Sequence, residues 1–291
     1  MANEHRPEEP EPRADACFIP EGIPIARPVL VADVALAFEP AHEMLLEDSS
    51  RRSVCVDMAV VVLGLIALEL LSQGALYFAT GIGDLPDAAP DSDVLKVLIM
   101  PLMPARAALV TIVVALLLAW RHQSLRSVGV SFERFGVNLL LGLAALGVAY
   151  GLIIPWALAM QYLMPAMAES LNENAEAIMS FLPRQSPIHF LWMFLAVGLY
   201  EELLFRGFLM TRLRRLTGGW TWAAIVSSIL FIAPHLLEQK AIALVPIGIL
   251  AVVFCLVTIW RRSIVPAIVT HSLWNYIQFL LLHYVAGDSW A

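Results

Sequence analysis

Of the 291 residues, 59% are hydrophobic and only 15% charged, and the mean hydropathy is +0.75. Soluble domains carry roughly 45–50% apolar residues, so an ordinary globular protein is excluded and an all-α polytopic membrane bundle is the expected fold class. The net charge of −7 is uneven, since residues 1–53 hold eleven acidic residues against five arginines while the remainder is close to neutral. No basic stripe or patch stands out, which sets nucleic-acid binding aside.

In chain order, residues 1–53 combine Pro, Glu and Arg with few aromatics. Such a segment buries too little apolar surface to offset the entropy of ordering, and a mostly disordered cytoplasmic tail is expected. No short apolar core behind a basic cap precedes the first long run, which is therefore expected to act as its own insertion signal. Cys17, Cys55 and Cys255 form no CxxC and no even framework, so free thiols are expected.

Seven apolar runs follow, each near the roughly 20 residues that cross a hydrocarbon core of about 30 Å. They extend over about Val54 to Thr80, Val94 to Trp120, Val137 to Met164, Ile188 to Met210, Trp220 to Leu237, Ala241 to Trp260 and Ile264 to Val285. The first two, within 54–120, form an N-terminal helix pair; 121–285 forms the main bundle; 286–291 is a short C-terminal tail.

Loop charge orients the runs, because Lys and Arg accumulate on the cytoplasmic side. Arg51, Arg52, Arg121, Arg126, Arg134, Arg212, Arg214, Arg215, Arg261 and Arg262 fall on one side, against Lys96, Arg184 and Lys240 on the other. The alternation predicts seven crossings with a cytoplasmic N-terminus and an outside C-terminus. The loop on the outer side after the third run carries Glu169, Glu173 and Glu176.

Ionisable residues inside a span are costly and mark function by default. The fourth run contains Glu201-Glu202-Leu203-Leu204-Phe205-Arg206. Residues four apart share a helix face, so Glu202 can pair with Arg206, whereas Glu201 is rotated by about 100° and keeps other work. Gly218-Gly219 then marks a turn. An antiparallel hairpin about it brings His235, of Phe231-Ile232-Ala233-Pro234-His235, to the depth of Glu201. The last run adds His271 and Asn275 on one face, in the half of the membrane nearer Arg262.

A carboxylate and an imidazole can activate water, and an Asn with a second imidazole can hold the negative oxygen of a tetrahedral intermediate, so the set reads as a hydrolase. The same atoms allow a zinc reading with Glu201, His235 and His271 as ligands, although no HExxH occurs. Phe231, with no proton to move, is expected to shape the site beneath His235.

Glu201-Glu202-x-x-x-Arg206, Phe231-x-x-x-His235 and His271-x-x-x-Asn275, in this order on apolar helices, resemble the three motifs of the CPBP family. That family comprises CAAX prenyl endopeptidases and bacteriocin-processing or immunity proteins. The resemblance covers about residues 121 to 285 and leaves the tail and first two helices without an inherited role.

It implies an intramembrane endopeptidase acting on a membrane-anchored protein or peptide within the lipid bilayer. Glu201 would be the general base with His235 beside the water, Glu202 would brace the site through Arg206, and His271 and Asn275 would form the oxyanion hole. A glutamate mechanism with no cofactor is favoured over zinc. The alternatives are a proton-coupled transporter, in which the paired glutamates and histidines relay protons, and a non-catalytic immunity or scaffold protein of the same fold. Short loops suggest a bacterial inner-membrane protein.

Overall fold

The computed structural model describes residues 50–80, 93–181 and 186–285. The acidic tail through residue 49 and the C-terminal 286–291 lie outside the described residues. Helices account for all the regular structure among the described residues, as expected for apolar runs whose backbone donors and acceptors must be satisfied within the segment.

In order they are α1 (Arg51–Thr80), α2 (Asp93–Trp120), a 3-10 turn (Leu125–Val128), α3 (Phe135–Leu163), α4 (Pro165–Phe181) and α5 (Pro187–Glu202). A π-helical segment (Leu203–Leu209) leads without a break into α6 (Met210–Thr217). It is followed by α7 (Trp220–Ile232), the short α8 (His235–Glu238), a 3-10 turn (Ala241–Ala243), α9 (Leu244–Arg261) and α10 (Val265–Val285).

Each of the seven apolar runs falls on helix. Four stretches among the described residues are long and apolar enough to cross a membrane: Phe135–Leu163, Pro187–Thr217, Ala241–Arg261 and Val265–Leu282. Pro104–Trp120 and Trp220–Ile232 are shorter apolar helices.

Two elements differ from the sequence expectation. The acidic stretch after the third run is not a loop but α4. Its buried Asn174 accepts the Lys240 backbone N–H at 2.8 Å, and Glu173 pairs with the Lys240 ammonium, so α4 is tied to the turn that opens α9. The fifth run also stops early, at Ile232 rather than Leu237. Pro234 has no N–H to continue the ladder and its ring opposes a preceding helical carbonyl, so His235 begins a new, four-residue helix.

The arginine-bearing connections gather at one end. Arg121 Nε donates to the buried Asp57 at 2.8 Å, joining α2 to α1. Arg212 donates to Gln123, Arg261 Nε to Asn138 Oδ1 at 3.0 Å, and the Ile264 N–H to the Gly129 carbonyl at 3.1 Å. Gly207 lies against the Val128 carbonyl, where an added Cβ would come within 2.7 Å of the oxygen. Gly218, at φ +78°, closes α6 in the left-handed conformation that glycine adopts without strain, confirming the expected turn. These contacts place residues 121–134, 207–219 and 261–264 on a common floor under the bundle.

Candidate active site

Above that floor, α5, α7, α9 and α10 converge on the acidic pair. The π-helical segment widens the helix by one residue immediately after Glu202. A turn of this kind leaves backbone groups poorly matched, and it occurs often at functional positions. Here the carbonyl of Phe205 accepts both the Met210 N–H and the hydroxyl of Ser227 from α7 at 2.8 Å, which offsets the irregularity and pins α7 to the segment.

Glu202 is fully buried, and so is Arg206. Arg206 Nη1 donates to Glu202 Oε1 at 3.0 Å and Nη2 to the Ala251 carbonyl of α9 at 3.3 Å. The guanidinium carbon lies 4.2 Å from the ring centre of Phe231 and 5.0 Å from that of Phe254. A delocalised cation between two aromatic faces is stabilised in the absence of water.

His271 completes this cluster. Its Nδ1 lies 2.8 Å from Glu202 Oε1, and its ring stacks on Phe254 with centroids 5.0 Å apart. An ionised carboxylate can only accept, so Nδ1 carries the hydrogen and donates it to Glu202. The opposite nitrogen, Nε2, lies 3.8 Å from Glu201 Oε2. Glu201 thus stands beside the cluster and outside the ion pair. Its Oε1 accepts the Tyr200 hydroxyl at 2.9 Å, and 16% of its side chain is exposed, against none for Glu202.

The other two sequence candidates sit at the edge. His235 Nδ1 caps the Phe231 carbonyl at 3.0 Å, leaving Nε2 with the lone pair in the neutral ring. Its ring lies 5.4 Å from that of Phe231, which in turn meets His271 edge-on at 5.9 Å. Neither a hydrogen bond nor an ion pair joins His235 to Glu201. Asn275 is half-buried one turn beyond His271, and its amide bonds to no other described residue.

The cluster depends on close approach of α5 and α10. At Gly198, one turn before Glu202, an added Cβ would lie 2.3 Å from Ser272 Oγ and 3.2 Å from the Ser272 nitrogen. Gly198→Val is therefore expected to push α10 away and break the Glu202–His271 bond, cutting both activity and thermal stability. An unfolding temperature equal to wild type would refute the contact as a constraint.

Among the described residues, no three His, Cys, Asp or Glu side chains are gathered as a metal holder. In the set considered from sequence, His235 turns Nδ1 to a backbone carbonyl and His271 turns Nδ1 to Glu202, so Nε2 is the nitrogen each ring offers to a ligand.

What the arrangement offers is one fully buried carboxylate held at Oε1 by two donors, with Oε2 buried and unpaired, one accessible carboxylate, and the His271 imidazole between them. A comparison with known families agrees with that chemistry. Residues 183–277 match the family of type II CAAX prenyl endopeptidases, Rce1-like. The Rce1-like match spans all three motifs, from before α5 into α10, and is consistent with the CPBP resemblance they carry. No curated protein and no solved structure matches the chain.

Residues 183–277 are thus similar to a CAAX-type protease domain, and the apolar helices around them are of the length and composition that cross a membrane. The match does not reach α1, α2 or α3. Sequence reasoning missed Tyr200, Phe254 and Ser227 around the Rce1-like motifs. Tyr200 alone had a signal, its place directly before the acidic pair; the other two are ordinary residues in apolar helices.

Proposed function

We propose that this protein is a seven-crossing intramembrane endopeptidase in which Glu201 activates water to hydrolyse a peptide bond of a membrane-anchored protein or peptide. The observation that carries the reading is the division of labour in the acidic pair. Glu202 is buried and engaged by Arg206 and His271, whereas Glu201 is partly exposed and engaged on one oxygen only by Tyr200.

Oε2 of Glu201 accepts a proton from water as the water oxygen attacks the scissile carbonyl carbon, and the same proton passes to the leaving amine as the tetrahedral intermediate collapses. His235, with Nε2 as acceptor, supplies a second hydrogen-bond partner for that water. Asn275, through its amide N–H, donates to the developing oxyanion. His271 serves as an oxyanion donor only when Nε2 also carries a proton; otherwise its part is to join Glu202 to the site.

Depth supports a cytoplasm-facing opening. Glu201 is six residues from Gly207, about 9 Å along the helix, and His271 is seven residues from Ile264, about 10 Å. Both Gly207 and Ile264 touch the floor that bears the arginines. With positive charge inside, that floor faces the cytoplasm, the N-terminus lies in the cytoplasm and the C-terminus outside.

The test is cleavage of membrane-anchored peptide libraries, prenylated and unprenylated, by purified protein in detergent. Cleavage is expected with or without a strong zinc chelator. Loss on chelation with restoration by zinc would overturn the metal-free mechanism, and absence of cleavage, with a cellular role kept by Glu201→Gln, would make the protein a scaffold. Asn275→Ala is expected to lower turnover by about 10²- to 10³-fold; an unchanged rate would return Asn275 to packing.

A further inference from the structure

We infer that Tyr200 is the positioning residue for Glu201, and that α1 and α2, outside the matched segment, hold it in place. The inference rests on Glu201 as the water-activating base and assigns a role to a residue and two helices that lie outside the three motifs.

Neighbouring residues on a helix point about 100° apart. For Tyr200 and Glu201 to meet, the phenol must lie along the helix surface and the carboxylate must turn back to it. The hydroxyl donates to Glu201 Oε1 at 2.9 Å, a charge-assisted contact when the carboxylate is ionised.

The ring cannot swing away, because Tyr200 is only 6% exposed and belongs to an apolar cluster with Leu203, Leu204 and Phe208 of its own helix. Val61 of α1 and Ala107, Val110, Val114, Leu117 and Leu118 of α2 belong to the same cluster, as do Val128 and Ile264. The apolar cluster that holds Tyr200 is thus built in part by chain well before residue 183, where the family match begins.

The consequence is directional. With Oε1 held by the phenol, Glu201 presents Oε2 towards His271 Nε2, 3.8 Å away and beyond hydrogen-bond distance. A single oxygen remains to take a proton from water, on a carboxylate that does not rotate. Orientation of this kind lowers a barrier without touching substrate, and displacement of a reacting group by about 1 Å can cost around 10²-fold.

Tyr200→Phe keeps the ring and its packing and removes only the donor. The full-length variant, purified in detergent, is expected to show kcat about tenfold lower, the scale of one hydrogen bond to a charged group, with KM and unfolding temperature unchanged. Val114→Ala, which loosens the cluster, is expected to lower kcat in the tyrosine protein and to have no further effect in Tyr200→Phe.

A wild-type kcat in Tyr200→Phe would overturn the inference, and so would a loss expressed in KM or an equal effect of Val114→Ala in both backgrounds. Glu201→Gln, assayed alongside, separates the two levels. Turnover retained there removes the base itself, whereas Glu201→Gln inactive beside a fully active Tyr200→Phe removes only the positioning role.

Discussion

Glu201→Gln is expected to lower single-turnover cleavage by about 10²- to 10⁴-fold, the range supplied by a positioned general base, while the protein inserts and unfolds as wild type does. The substitution is nearly isosteric. The glutamine carbonyl can still accept the Tyr200 hydroxyl, the one hydrogen bond that Glu201 makes, and the side chain is partly exposed, so little packing is at stake. What is lost is an oxygen able to take a proton. A rate within a few-fold of wild type, measured on protein with an unchanged unfolding temperature, would remove Glu201 as the base. Glu202 is fully buried, with Oε1 held by Arg206 and His271, so it is not expected to take over the role.

Arg206→Ala should have the largest effect on stability, a loss of about 3–5 kcal/mol, the usual cost of removing one partner from a buried ion pair. Glu202 is fully buried and would keep only His271 as a donor. The space between Phe231 and Phe254 would also lose its guanidinium, and with it the hydrogen bond to the Ala251 carbonyl. Replacing both charges by residues of similar shape, Glu202→Gln with Arg206→Met, is expected to recover much of the stability, since well-packed neutral groups often match a buried pair. Denaturant unfolding in detergent distinguishes the cases. Equal stability of Arg206→Ala and wild type would mean that the pair contributes no structural support.

The same pair shows how far sequence reasoning reaches. Spacing of four residues is a local property of the helix, so the Glu202–Arg206 contact was legible from the string alone. So was the Gly218 turn, which needs a positive φ that glycine adopts at little cost. The hairpin depth argument brought α7 beside the acidic pair, where Phe231 now covers Arg206. It did not reveal that His235 would cap the Phe231 carbonyl rather than bond to Glu201. Only the fold decided that α7 ends before Pro234 and that the polar stretch after α3 becomes α4, tied to Lys240.

By itself, then, the sequence determined the all-helical class, the positions of the apolar helices, the acidic pair and the spacing of His271 and Asn275. Each of these is carried by composition or by a helical period a few residues long. The tertiary structure decided which oxygen of which glutamate is engaged. His271 reaches Glu202 across 69 residues of chain because α5 and α10 approach closely at Gly198. At the π-helical turn Ser227 meets the Phe205 carbonyl, and Tyr200 shares an apolar cluster with helices more than eighty residues upstream. Polar partners buried between helices are chosen by packing, and a periodic pattern carries no record of which faces will meet.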